Sequence, residues 1–211
     1  MQTEQQSLRA AAGQRFWQID ALRGLALLNM LVYHAMYDWV YIFGHASGWY
    51  DIWSTHCHVW QQYICWSFIL LSGYSFTLSR RPLKNGLLTA ACAVGLPVAT
   101  AVAMPEEVIW FGVLHLLGVC MMLYPVYKKL PTQALAAVGV VLVVTGYLIS
   151  GTVVKAKFLF SFGFVYEGFT SSDFFPILPH LGWYMLGTVL GRTVYADKKT
   201  RLPGTFRESA I

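Results

Sequence analysis

The chain has 211 residues, of which 56% are apolar and only 12% charged, and its formal net charge is +5. Because soluble domains usually carry about 25% charged residues, this composition excludes an ordinary soluble domain and favours a membrane protein. The length predicts one transmembrane domain over residues 1–211, without a second soluble domain. Basic residues beside anionic lipid headgroups explain the positive charge, so no nucleic-acid partner is predicted.

Apolar runs predict the order of the elements along the chain. The fold class is therefore all-α: a polytopic integral membrane helix bundle with about six transmembrane helices. The aromatic and Gly-rich stretch 151–173 predicts an interfacial or re-entrant segment rather than a seventh span. The six predicted helices cover residues near 19–42, 59–79, 86–104, 108–127, 133–150 and 174–191.

Basic residues set the predicted orientation. In the six-span arrangement, the lysines and arginines outside the first helix lie on one side of the membrane, except for Lys155 and Lys157, which lie on the other. The positive-inside rule then places both termini in the cytoplasm, as a tail over 1–15 and a basic tail over 192–211. The expected location is the cytoplasmic (inner) membrane. The residues on the cytoplasmic side are Arg9, Arg15, Arg80, Arg81, Lys84, Lys128, Lys129, Arg192, Lys198, Lys199, Arg201 and Arg207.

The first predicted helix contains five polar residues that are costly to place in a bilayer: Asp20, Arg23, Asn29, His34 and Asp38. Asp20 and Arg23 are three residues apart, so they can pair at the cytoplasmic end. Asp38 follows His34 by four residues, so its carboxylate can fix the imidazole tautomer and leave the other nitrogen free as a base. Arg23 and His34 share one helix face, roughly 16 Å apart. A purely structural role for these groups is the alternative.

The predicted outer loop is rich in histidine. Imidazole, carboxylate and thiol groups of this kind can bind zinc or copper, but their spacing fits no zinc motif well, and no metal is predicted. The four cysteines are expected to be small packing residues rather than disulfides. The loop residues concerned are His45, Asp51, His56, Cys57 and His58.

Four polar residues predict a substrate cavity between spans: Asn29 of the first helix and, later in the chain, His115, Asp173 and His180. Each histidine alone is more often an interhelical hydrogen-bonding residue, but together with His34 they favour a cavity. Gly187 and Gly191 form a GxxxG pair in the last predicted helix, which indicates close packing within the chain or in a homodimer.

Three sequence blocks together resemble a known family. The first is RFWQIDALRGLA at 15–26, followed by Met30 and YHAMYD at 33–38; the others are FGVLHLLG at 111–118 and DFFPILPHLGW at 173–183. They resemble bacterial membrane proteins similar to the heparan-alpha-glucosaminide N-acetyltransferase catalytic domain. The Arg23/His34 spacing is also similar to the Arg-x10-His signature of the broader membrane acyltransferase superfamily.

The resemblance implies an acyltransferase that takes acetyl from cytoplasmic acetyl-CoA, or an acyl group from a related thioester, and gives it to an acceptor on the far side of the membrane. It also implies a second candidate base. The lysosomal relative uses a histidine just after its first helix, followed by Ala-Ser, and His45-Ala46-Ser47 stands at the matching place here. The general base is therefore His34, His45 or both, with Asp38 orienting His34.

These residues predict a mechanism and leave a rival open. Arg23, with Asp20, binds a CoA phosphate, and the thioester reaches the base, which deprotonates the hydroxyl or amine of a sugar or envelope glycan. Asn29 and His115 are candidates for stabilising the oxyanion. The rival is a non-enzymatic membrane protein, either a small transporter or a degenerate structural homologue, in which the same groups relay protons or pair.

Overall fold

A computed structural model of the protein describes residues 17–77, 79 and 81–196. This part of the chain is helical, with short π- and 3₁₀-helical turns between the longer helices and two isolated bridges in place of a sheet. Its α-helices are α1 (Trp17–Tyr37), α2 (Thr55–Phe76), α3 (Pro82–Ala103), α4 (Val113–Tyr127), α5 (Thr132–Ile149) and α6 (Ile177–Ala196).

The all-helical prediction is confirmed, and each of the six predicted segments corresponds to one described α-helix. The last helix is longer than predicted, because α6 continues to Ala196 and so includes the first residues of the predicted C-terminal tail. The N-terminal tail and residues 197–211 of the C-terminal tail lie outside the described residues. The described residues fall into two compact units, divided between Leu71 and Ser72.

In the first unit, an aromatic cluster joins α1 to the beginning of α2. The buried core contains Tyr33, Tyr50, Cys57 and Ile64. The Tyr33 ring meets those of Tyr50 and Trp60 edge-on, with centroids 5.5 and 5.1 Å apart. Burial raises the pKa of the Tyr50 phenol, which stays protonated and donates to the Tyr33 carbonyl oxygen at 3.4 Å. Edge-on contacts of this kind fix the loop between the two helices.

In the second unit, α3 packs on α4 and α5 packs on α6. Small residues allow the close approach, since Gly118 of α4 lies against Ala90 and Gly182 of α6 lies against Gly139. The segments after α3 and α5 meet through a bridge between Phe111 and Phe174. Because of this bridge, residues 104–112 and 150–176 lie at one end of the unit, which we call the loop end.

The stretch 151–173, all of it described, contains a 3₁₀ helix (Lys157–Phe162) and turns but no α-helix. Val153 forms a bridge with Val165, which closes the stretch on itself. A spanning helix needs about 20 apolar residues, so this stretch does not form a seventh helical span. The finding agrees with the predicted interfacial or re-entrant segment.

Two of the described helices, α3 and α5, are long and apolar enough to cross a membrane. Only 11% of the apolar window of α3 and 17% of that of α5 is buried inside the protein, whereas the core helix of a soluble domain would be mostly buried. Their side chains Val94, Val102 and Leu148 are 72–81% exposed. These helices therefore indicate a membrane protein, and six spans with cytoplasmic termini stay a prediction.

Gly182→Ala tests the α5–α6 contact. A Cβ at this position would lie 2.5 Å from the Gly139 carbonyl oxygen and 2.8 Å from the Val143 backbone nitrogen. Because backbone atoms cannot move aside cheaply, we expect the free energy of unfolding to fall by ~1–3 kcal/mol. Gly95→Ala is the matched control: a Cβ at Gly95 meets nothing within 4 Å, and alanine favours a helix by up to ~1 kcal/mol. Equal stability of the two variants in denaturant titrations would contradict the packing.

Candidate active site

Arg23 and Asp20 form the predicted pair near the start of α1. The Arg23 guanidinium nitrogen is 3.7 Å from the Asp20 carboxylate oxygen, and the two side chains are 47% and 40% exposed. An exposed pair of this kind contributes little to stability, about 0–1 kcal/mol. The guanidinium has five N–H donors, so most of them remain for a further anion. This prediction from helical spacing is confirmed.

The Asn29 side chain links α1 to α2. Its amide nitrogen donates to the Leu25 carbonyl oxygen at 2.9 Å, and its carbonyl oxygen accepts from the Trp60 indole nitrogen at 3.2 Å. These two bonds use the amide oxygen and one N–H, so Asn29 holds two helices together. For its predicted alternative role as an oxyanion donor, Asn29 has one amide N–H that these bonds do not use.

His34 and Asp38 are not joined by a hydrogen bond or an ion pair, although the structure describes both residues and their spacing predicted one. The reason is local: the α-helix ends at Tyr37, and a π-helical turn begins at Asp38. The i,i+4 argument assumes 3.6 residues per turn, and the wider π turn changes that register. His34 is exposed, and its imidazole tautomer is therefore not set by Asp38.

His45 lies in the loop after the π turn, stacked on the Trp39 ring with centroids 4.0 Å apart and planes at 26°. Both side chains are exposed. The hydroxyl of Ser47, two residues on, accepts from the Tyr50 backbone nitrogen at 3.1 Å. The stacking orients the imidazole plane but leaves both ring nitrogens without a hydrogen bond in the described part of the chain.

Asp51 and His56, also predicted for this loop, form hydrogen bonds nearby, and the structure places His56 in the first turn of α2. Asp51 accepts from the Tyr41 hydroxyl at 3.2 Å and from the Trp53 backbone nitrogen at 3.0 Å. The His56 imidazole lies 2.6 Å from the Trp49 carbonyl oxygen. Among the described residues, no three His, Cys, Asp or Glu side chains are placed to share a metal ion.

His115 and Asp173 meet at the first turn of α4. The Gly112 backbone nitrogen donates to Nδ1 of His115 at 3.2 Å, and the Val113 backbone nitrogen donates to the Asp173 carboxylate at 3.1 Å. A carboxylate here satisfies an amide that has no partner within the helix and faces the positive end of the helix dipole. A Cβ at Gly112 would collide with the Asp173 carboxylate. The structure thus brings together two of the four predicted cavity residues.

His180 lies in the first turn of α6 at the same loop end. Its Nδ1 is 2.8 Å from the Pro176 carbonyl oxygen, and its ring packs against Phe175 with centroids 5.1 Å apart. The Phe175 backbone nitrogen in turn donates to the Phe111 carbonyl oxygen at 2.8 Å. Phe111 stacks on His115 with centroids 5.4 Å apart. The backbone hydrogen bond between Phe175 and Phe111 therefore holds in place the two rings that contact the histidines.

These hydrogen bonds assign opposite tautomers to the two imidazoles. A carbonyl oxygen only accepts, so Nδ1 of His180 carries the proton and Nε2 has the lone pair. In His115, Nδ1 accepts from an amide, so the neutral ring carries its proton on Nε2. Neither Nε2 has a hydrogen-bond partner within the described residues. One ring can accept a proton, and the other can donate a hydrogen bond.

Sequence reasoning missed the groups that orient these side chains: Trp60, Phe111 and Phe175. One signal was available, because His115 follows Gly112 by three residues, which is the capping-box spacing at a helix start. Trp60 is 31 residues from Asn29, and no local pattern connects them.

Comparison with known protein families identifies a match over nearly the whole chain. The family model described as "Heparan-alpha-glucosaminide N-acetyltransferase, catalytic" matches residues 15–210. No curated protein and no solved structure matches the chain.

Proposed function

The chain belongs to the heparan-alpha-glucosaminide N-acetyltransferase catalytic family, and from that premise we propose that it transfers acetyl from cytoplasmic acetyl-CoA across the membrane. The acceptor is a hydroxyl or amine of a sugar or cell-envelope glycan on the opposite side. The observation that carries the proposal is the match itself, which covers residues 15–210 and so includes every candidate site residue. The two apolar helices α3 and α5 support the placement in a membrane.

The reaction needs a base and an oxyanion donor, and no oxidant or reductant. The acceptor oxygen or nitrogen attacks the thioester carbonyl carbon, and its proton passes to the base. The tetrahedral oxyanion then collapses, the carbon–sulfur bond breaks, and the CoA thiolate leaves and takes up the proton. The products are the acetylated acceptor and free CoA, and the charges and protons balance.

His180 is the base in this proposal, because a hydrogen bond from Nδ1–H leaves its Nε2 lone pair free. His115 donates Nε2–H to the oxyanion from the same loop end. The sequence predicted other bases, namely His34 with Asp38, and His45. Variants of these two histidines, compared with a His180 variant, decide which residue is the base. Neither imidazole of these two has a hydrogen bond that fixes its tautomer within the described residues.

The donor side of the proposal is the cytoplasmic end of α1. The Arg23 guanidinium offers a bidentate cation for a CoA phosphate, and Asp20 orients it. The basic residues favour cytoplasmic termini by the positive-inside rule, which puts Arg23 on the side where CoA is found. The proposed location is the cytoplasmic membrane, with six spans.

Binding of acetyl-CoA tests the function without knowledge of the acceptor. A ligand at 100 times its dissociation constant stabilises a protein by ~2.7 kcal/mol, so the detergent-solubilised protein should unfold at a higher temperature with acetyl-CoA. Dephospho-CoA and free acetate are controls for the phosphate and acetyl groups. No stabilisation by acetyl-CoA at any concentration would favour the non-enzymatic transporter or degenerate homologue.

Arg23→Ala should weaken acetyl-CoA binding by roughly tenfold or more, since a charge-assisted bidentate contact contributes about 1.5–3 kcal/mol. Calorimetric titration of the purified variant measures the dissociation constant. Arg23→Lys keeps the charge but loses the bidentate fork, so we expect an intermediate affinity. An unchanged dissociation constant in Arg23→Ala would remove Arg23 from the donor site.

A further inference from the structure

An open cavity of about 270 Å³ lies at the loop end of the second unit. Its wall consists of five aromatic rings and one lysine. The residues are Trp110, Lys157, Phe158, Phe160, Tyr166 and Phe169. An apolar wall with one cation is suited to a ligand that combines an anionic group with an apolar body.

The rings and the cation are held in a defined arrangement. Phe169 contacts Phe160 and Tyr166, with ring centroids 5.5 and 5.2 Å apart. The Lys157 ammonium lies over the Tyr166 ring, 5.6 Å from its centroid. The aromatic contact holds the charge in the cavity wall, and because Lys157 is exposed, an anion can reach it.

The position of the cavity indicates where its ligand comes from. Lys157 follows the end of α5 by eight residues, and Trp110 follows the end of α3 by seven, and these are the two helices apolar enough to cross a membrane. Both therefore place the cavity near the level where a bilayer meets water. Aromatic rings and lysines are enriched at that level, with the ring bodies in the apolar phase and the charges among headgroups.

We infer that this cavity binds the headgroup of an anionic phospholipid, with the phosphate at Lys157 and the adjoining apolar part of the lipid on the aromatic rings. A sugar fits the wall less well, because only the lysine, the Tyr166 hydroxyl and the Trp110 indole N–H could hydrogen-bond its several hydroxyls. The inference rests on the proposed membrane placement and not on acetyl transfer, so the two can fail separately.

The test compares lipids on the full chain in detergent micelles. Native mass spectrometry follows the binding of phosphatidylglycerol and of phosphatidylcholine with the same short acyl chains. We expect the anionic lipid to bind more tightly, and Lys157→Gln to reduce its affinity about fivefold, because one lysine near an anionic surface contributes ~1 kcal/mol. Lys157→Arg should retain the preference.

Lys155→Gln is the matched control, since Lys155 is also exposed and lies two residues away but is not in the cavity wall. An equal loss in Lys155→Gln would show that general surface charge attracts the lipid and would overturn the site. Displacement of the lipid by inorganic phosphate would assign the cavity to a free anion, and displacement by a neutral methyl glycoside would assign it to a sugar. Equal affinity for the two lipids would also overturn the inference.

Discussion

Replacing His180 by asparagine should lower kcat for acetyl transfer by ~10²–10⁴-fold, the usual contribution of a positioned general base. Asparagine separates the structural hydrogen bond of His180 from its proposed role as a base. Its amide N–H can take the place of Nδ1–H and keep the hydrogen bond to the Pro176 carbonyl oxygen, while nothing replaces Nε2. The variant should therefore unfold at the same temperature as the parent protein, and its loss of rate can be assigned to the missing base.

The comparison variants are His34→Ala and His45→Ala, measured in the same assay with radiolabelled acetyl-CoA and a panel of amino sugars and glycans. If either loses activity to that extent while His180→Asn retains it, the base belongs to the first unit, as the sequence predicted. The dependence of rate on pH adds a readout that a structural defect would not move: loss of the base should remove the low-pH limb of the kcat profile.

The helices could be predicted from the sequence because apolar runs and their breaks are local signals. Arg80-Arg81 precedes α3, Pro82 begins it, and Pro105 follows its end. The end of α6 was placed five residues too early, because Arg192 has the character of a cytoplasmic flank. In the structure its guanidinium donates to the carbonyl oxygens of Leu130 and Lys128 at 2.7 and 2.9 Å, so the helix continues past a charge that is paired elsewhere.

In the candidate site, too, contacts within one regular helix could be predicted from the sequence, and contacts between distant residues could not. The Asp20–Arg23 pair followed from spacing within one regular helix, and it is present. The His34–Asp38 pair needed that regularity to continue, and it fails where the π turn begins. The hydrogen bond from Val113 to Asp173 joins residues 60 apart, and only tertiary structure determines it. Tautomers depend on such contacts, which is why the sequence could not separate the histidines by role.

His115→Asn should lower kcat by ~10²–10³-fold with little change in KM, because an oxyanion donor acts mainly in the transition state. Asparagine again keeps the local hydrogen bond: its amide oxygen can accept from the Gly112 backbone nitrogen as Nδ1 of His115 does, so the start of α4 is retained. The variant loses the Nε2–H group and the ring contact with Phe111. Steady-state kinetics with varied acetyl-CoA separates kcat from KM.

The matched control is Asp173→Asn, which changes the other partner at the start of α4. The asparagine amide oxygen can still accept from the Val113 backbone nitrogen, but the negative charge beside the helix dipole is lost, so stability should fall by about 0.3–1 kcal/mol, with a smaller loss of rate. If instead both variants lose the same stability and the same rate, His115 acts only through the helix start. Full activity in His115→Asn would exclude its Nε2–H from the reaction.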